Sequence, residues 1–219
     1  VIESIDAKSI YDVPVLMRDE RLHEIVLNYL NIKKKKPLRL SRWKNFLRNL
    51  HSSNNILNVA IIGKYVSLHD AYKSISESLI HAGANLNSRV EIKWILSENL
   101  NEKNIKKSLK NIDGVIVAPG FGERGVEGKI CAIKYVRENS IPFFGICLGM
   151  QCACIEFSRN VLGHKKGNST EFDKNTPYPI IDLMEEQKEI KNKGGTMRLG
   201  SYKCSLEKGS HINKIYKNI

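Results

Sequence analysis

The stretch Phe143-Phe144-Gly145-Ile146-Cys147-Leu148-Gly149-Met150-Gln151 decides how this chain folds. An apolar run ends in a cysteine set between two glycines, and a helix-forming run follows at once, so a strand passes directly into a helix with Cys147 at the junction. Small residues on either side let the backbone turn tightly enough to hold the cysteine at the top of a sheet. There the positive end of the helix dipole favours the thiolate, and the Leu148 N–H is free to face an oxyanion. The competing reading is that Cys147 is a small buried hydrophobe, the commonest fate of a cysteine.

Working outward, the same alternation recurs upstream. Val59 to Ile62, Val90 to Leu96 and Gly114 to Val117 are continuous apolar runs of the kind buried on both faces of a sheet. Helical patterns from Asp70 to His81 and from the glycine-rich segment to Asn139 separate them. Repeated strand–helix units predict an α/β fold, a mostly parallel sheet with helices on both faces and functional groups at the carboxyl ends of the strands. Pro179 to Met184 reads as a further strand and Thr196 to Cys204 as a hairpin arm. Before the sheet, residues 1–31 read as an extended piece over Tyr11 to Leu16 and a helix from Asp19 to Leu30, too little to fold alone. Residues 32–57 form a basic linker, with lysines at 33–36, the breaker Pro37, and Leu40, Trp43, Leu47 and Leu50 recurring on a helix studded with Arg39, Arg42, Lys44 and Arg48. Residues 58–219 are the sheet domain.

The 219 residues are 42% hydrophobic and 26% charged, which excludes collagen, coiled coil and wholesale disorder. Lysine and arginine number 35 against 23 acidic residues, a formal charge of +12 that suits an anionic partner. Five cysteines without a regular framework point to a reducing, cytoplasmic setting, and no window approaches the ~20 apolar residues of a membrane span. The start, Val1-Ile2-Glu3, lacks an initiator Met, so the chain is expected to be an excerpt.

Other constellations are weaker. Cys152 and Cys154 lie in the helix after the elbow and read as core, without the companions a metal site needs. The segment Ala118-Pro119-Gly120-Phe121-Gly122-Glu123-Arg124-Gly125 shares the rim with Cys147, and its amides could face a phosphate or an acyl oxyanion. A phosphate loop of the Walker type is disfavoured because Gly128-Lys129 is followed by Ile130. Among the six histidines (23, 51, 69, 81, 164 and 211) none has a Glu in orienting register, so a nucleophile is visible without its base. Asn168-Ser169-Thr170-Glu171-Phe172 reads first as a turn or cap, and second as a carboxylate for a substrate ammonium.

Taken together these residues resemble one family. Gly145 to Gln151 is similar to the nucleophile segment of class I (triad) glutamine amidotransferases, proteins with a flavodoxin-like core. Val59 to Tyr65, Pro119 to Lys129, Asn168 to Phe172 and Gly194 to Gly200, in this order, resemble the glutaminase domain of the CTP synthase family, and Ser9 to Pro14 resembles the end of its synthase (amidoligase) domain. The resemblance implies that Cys147 forms a glutamyl thioester and that Gly120 and Leu148 supply oxyanion amides. It further implies that Gly149, Met150 and Gln151 line the glutamine pocket, that Glu171 binds the substrate α-amino group, and that Arg124 belongs to a lid through which GTP activates. It implies ammonia transfer to UTP activated by ATP and Mg2+ in a separate domain, a homotetramer, and no metal in this portion. Ala118-Pro119-Gly120 departs from the family's Pro-Gly-Gly at this loop. The family's His-Pro-Glu base is absent from these residues and is expected beyond Ile219, so the fragment alone is expected to be inactive or weak. Another glutamine amidotransferase subunit, a polyanion-binding module built on the basic linker, and an assembly domain are the alternatives.

Overall fold

The computed structural model describes residues 2–3, 5–33, 36–188 and 203–216. The chain divides into two compact units, Val1–Ile181 and Asp182–Ile219. The first opens with three helices, α1 (Val13–Asp19), α2 (Leu22–Tyr29) and α3 (Ser41–Ser52). Strands β1 (Asn55–Gly63), β2 (Ser88–Leu96), β3 (Gly114–Val117) and β4 (Phe143–Gly145) follow, linked through α4 (Lys73–Asn85), α5 (Ile105–Ser108) and α6 (Val126–Glu138). The elbow leads into α7 (Leu148–Asn160), and a short pair, β5 (Gly167–Ser169) and β6 (Tyr178–Ile181), closes the unit. The second unit contributes α8 (Glu185–Lys188) and α9 (His211–Tyr216). No helix among the described residues is long and apolar enough to cross a membrane.

The four long-range strands form one parallel sheet in the order β2-β1-β3-β4. Its two faces follow from the period-2 geometry of a strand. Ala60, Ile62, Val115 and Val117 point to one side and pack with Ile130 and Ile133 of α6 and Leu148, Cys152 and Ile155 of α7. Ile61, Ile116 and Ala118 point to the other and meet Tyr72, with Ile75 and Leu79 of α4 beside them. Helices therefore cover both faces, as the strand–helix alternation predicts. Ile61, Ile62 and Val117 are fully buried, each contributing about 1.5–3 kcal/mol of transfer free energy.

An ion pair fixes α7 against α6. Glu156, 1% exposed, takes a forked contact from Arg137 at 2.8 and 3.0 Å and a third bond from Asn160 at 3.2 Å. A buried carboxylate needs that many donors.

Several boundaries differ from the sequence reading. Tyr11 to Leu16 is not extended. Pro14 sits in the first turn of α1, where a missing N–H is no loss and a fixed φ favours the helix. The helix expected over Asp19 to Leu30 is broken at Arg21, whose φ of 57° ends the run before α2 begins. Strand β1 starts at Asn55, inside the expected linker, because Asn55 to Asn58 pair with Ser88 to Glu91. Asp70 caps nothing through its side chain and lies in a 3-10 turn, His69–Tyr72, ahead of α4. The Asn168 cluster, read as a turn, begins in β5, which pairs with β6. Strand β6 ends at Ile181 rather than Met184. The hairpin arm falls mostly on 196–202, outside the described residues.

Tyr11 joins the start of the chain to α3 and α4. Tyr11 packs on Trp43, Phe46 and His81, its carbonyl accepts from Trp43 Nε1 at 2.9 Å, and its hydroxyl bonds Glu77 and lies 2.9 Å from His81 Nε2. Burial and the Glu77 carboxylate push the Tyr11 hydroxyl up to about 12 from 10.0. A group whose folded pKa is raised stabilises fully below its unfolded value and loses that contribution as pH rises through the folded value. We expect the Tyr11 contact to weaken between pH 10 and about 12, read by Trp43 emission, and a Tyr11→Phe protein to lack that transition.

Candidate active site

The elbow is built by backbone. Ile146 N–H bonds the Val117 carbonyl at 3.0 Å, which extends the β3–β4 ladder by one residue. The chain then turns at Cys147, φ 52° and ψ −111°, and the Gly149 N–H closes the turn on the Ile146 carbonyl at 2.9 Å. A non-glycine residue rarely takes a positive φ, and such strain concentrates at functional sites. The two glycines are steric requirements. A Cβ on Gly145 would lie 2.7 Å from the Gly149 carbonyl and the Met150 amide, and one on Gly149 would overlap the Val117 carbonyl oxygen. Cys147 itself is exposed at the N-cap of α7, while Leu148 is fully buried.

The glycine-rich loop stands beside this turn. A Cβ on Gly120 would lie 3.6 Å from Leu148 Cδ2, so loop and elbow are in apposition. Gly122 N–H donates to Glu171 Oε1 at 2.6 Å, which carries the exposed Glu171 onto the same rim. Arg124 pairs with Glu98 at 2.5 Å and lies 5.6 Å over the Tyr65 ring. Thus Cys147, Leu148, Gly149, Gly120 and Glu171 are brought together, and Arg124 flanks the loop. Gln151 lies one turn into α7, its N–H on the Cys147 carbonyl at 3.1 Å. The Met150 side chain goes elsewhere: it lines an apolar groove with Ala153, Phe157, Leu162 and Ile180 that neither Cys147, Gly120 nor Glu171 borders.

Two residues escaped the sequence reading. Lys129 is fully buried and donates from Nζ to the Ala118 carbonyl at 2.8 Å. Lys64, 4% exposed, donates to the carbonyls of Phe121 and of Gly122, the latter at 2.6 Å. Burial brings Lys129 down to about 8, with nearby Lys64 adding to the effect and the Cys152 and Cys147 sulfurs opposing it. Lys64 is lowered by burial first and Arg124 second. The signal available in sequence was position alone, one lysine right after β1 and one in the first turn of α6.

The histidines are engaged away from the elbow: His69 stacks on Trp94, His81 meets Tyr11, His164 lies on Tyr178, His51 is 3.4 Å from Asp12 and His23 is 3.7 Å from Glu24. His211 belongs to the second unit. Among the described residues no cluster of His, Cys, Asp or Glu could hold a metal ion. Cys152 is buried and its thiol is pushed up to about 11 by that burial, so it stays protonated, in keeping with a core role, whereas Cys154, also read as core, lies on the outer side of α7 and is exposed. The Gly194 to Gly200 motif lies outside the described residues.

A cysteine held at positive φ between a sheet and a helix, with a glycine loop at its side, has the geometry of a nucleophile elbow on an α/β domain. The family model of class-I glutamine amidotransferases matches residues 67–218, and the chain belongs to that family. It is 58% identical over 216 residues to the CTP synthase of Cytophaga hutchinsonii and 52% identical over 216 residues to that of Flavobacterium johnsoniae. Each of these alignments covers 99% of this chain, but the chain spans only 40% of the length of those relatives. Among solved structures, the glutaminase domain of Trypanosoma brucei CTPS with bound acivicin superposes with a TM-score of 0.56 at 39% identity, over 59% of this chain and 50% of that one.

Proposed function

We propose that these residues form the glutaminase part of a CTP synthase, in which Cys147 hydrolyses glutamine. The observation that carries this is the exposed Cys147 held at positive φ on the N-cap of α7, beside a loop whose Gly122 amide faces outward. The thiolate attacks the glutamine carboxamide carbon, forming the C–S bond. The oxyanion that develops is met by the Leu148 and Gly120 amides, and the tetrahedral species collapses by expelling ammonia, which takes up one proton. Water then attacks the thioester, releasing glutamate and restoring the thiol. Glu171, oriented by Gly122, accepts the substrate α-ammonium. Gly149, Gln151 and the main chain of Met150 line the pocket. The base and its orienting carboxylate come, in this reading, from outside residues 1–219.

The released ammonia aminates UTP that ATP has phosphorylated, in a separate synthase domain which uses Mg2+. Residues 1–31 are the end of that domain and 32–57 its connector. Arg124, tied to Glu98 and Tyr65, is the residue through which bound GTP acts on the loop. The intact enzyme works as a homotetramer in the cytoplasm. A polyanion-binding role for α3 finds little support, because Trp43 and Phe46 are already packed on Tyr11 and neither is left to stack on a base.

The test is alkylation of Cys147 by a glutamine-like electrophile, mapped by mass spectrometry. Selective labelling that excess glutamine suppresses is the expected result; even labelling of several cysteines, indifferent to glutamine, would remove the proposal's basis. In the complete enzyme, Glu171→Gln is expected to raise the KM for glutamine by about 10–100-fold with little change in kcat, because one charge-assisted contact to the ground state is lost.

A further inference from the structure

Two ammonium groups behind a loop of main chain are an expensive way to fill space, since a methionine of similar volume would pack there without desolvating a charge. What Lys64 and Lys129 do is visible in their partners, which are all loop carbonyls: Ala118 for Lys129, Phe121 and Gly122 for Lys64. In a trans peptide the C=O and the following N–H point in opposite directions. Drawing the Phe121 carbonyl inward therefore turns the Gly122 N–H outward, and that N–H is the one bound to Glu171 at 2.6 Å. Holding the Gly122 carbonyl inward likewise turns the Glu123 N–H out. Gly120 lies between the clamped carbonyls of Ala118 and Phe121, 3.9 Å from Lys129 Nζ when measured from the place of a Cβ.

We propose that Lys64 and Lys129 are positioning residues of the glutaminase site, a buried pair of ammonium groups that grips loop carbonyls: Lys64 turns the Gly122 and Glu123 amides toward Glu171 and the substrate, and Lys129, whose Ala118 carbonyl precedes Pro119 and so turns no N–H, anchors the end of β3 from which the Gly120 amide is presented. This rests on the glutaminase reading above. The titratable groups facing Lys129 are Cys147 and Cys152 of the elbow and α7, and Lys64; those facing Lys64 are Arg124, Glu171, Cys152 and Glu98. Because Lys129 is brought down to about 8, it is charged below that pH and loses its charge above it, so the cradle weakens on the alkaline side.

The experiment is steady-state ammonia release from glutamine by the complete natural polypeptide, with kcat and KM followed from about pH 6.5 to pH 9.5. The wild type should show a fall in kcat on the alkaline side. Lys129→Met should lower kcat about 10–100-fold at neutral pH, with KM within about threefold, and should lack the alkaline fall, at a melting temperature that shows it folded. Lys129→Arg, which cannot lose its proton in this range, should recover most of kcat and also lack the fall. A folded Lys129→Met with wild-type kcat, or with a loss that leaves the alkaline limb unchanged, overturns the proposal. If Lys129→Met does not fold, Lys64→Met and the wild-type limb decide it: a wild type flat to pH 9.5, or a Lys64→Met of unchanged kcat, overturns it equally. Failure of the underlying reading looks different, since the wild type itself would then release no ammonia and Cys147 would show no glutamine-protected labelling.

Discussion

Cys147→Ala in the complete enzyme is expected to lower glutamine hydrolysis by at least about 10³-fold, since no other group can form the thioester and removal of a nucleophile is the largest single loss a covalent mechanism can suffer. Ammonia release and electrophile labelling both read it. A residual rate within tenfold of the wild type would mean that Cys147 is not the nucleophile. The same position makes a separate, opposite statement about stability. Alanine keeps the strained φ of 52°, whereas Cys147→Gly relieves it, so the glycine variant should be more stable than the alanine variant by about 1 kcal/mol while being equally inactive. Matched thermal melts give the comparison, and a glycine variant less stable than the alanine one would show that the elbow is not strained.

The second large effect is expected at Gly149. Its missing Cβ is the space that the Val117 carbonyl oxygen occupies, and neither partner is a flexible side-chain end. Gly149→Ala must separate α7 from β3 or break the turn, and both remove packing around Leu148 and Cys152. A loss of about 3–5 kcal/mol, or failure to fold at 25 °C, is expected, at the upper end of what one methyl group does. Gly122→Ala is the contrast: nothing lies within 4 Å of the added methyl, and only its φ of 69° resists it, so about 1 kcal/mol is expected there. Similar melting temperatures for the two variants would contradict the close packing of the elbow.

Much of this architecture was legible because the buried strands announce themselves. Gly114 to Val117 was read with both ends correct, bounded by Asp113 on one side and Ala118-Pro119 on the other. What misled were residues whose neighbours decide their state. Asn55 looks like linker, yet the backbone of β1 runs through it because β2 offers a complete ladder. Pro14 looks like a break in an extended segment, and it starts a helix. At the site, the elbow cysteine was readable from its glycines, since the steric need is written in the sequence itself. The role proposed for Glu171 was favoured over a plain turn only through family resemblance, because a carboxylate beside Asn, Ser and Thr has the composition of any turn. Lys64 and Lys129 stood inside segments that carry the family resemblance, but their burial was not legible: a lysine's default is solvent, and only tertiary packing reveals that these two are covered and what they hold.

One helix of this protein, with its N-cap, carries three cysteines, of which Cys147 and Cys154 are exposed and Cys152 is buried. Cys147 stands in solvent at its start, and Cys152, little more than a turn later, is sealed in the core with a thiol that stays protonated to about pH 11. A thiol reagent therefore meets Cys147 and Cys154 but not Cys152 while the chain is native. Tagging at Cys152 records moments when α7 lifts from the sheet, so the tags at Cys147 and Cys152, counted on one peptide, separate loss of chemistry from loss of structure under oxidative or thermal stress. The protein holds its own clock for local opening five residues from its reactive sulfur.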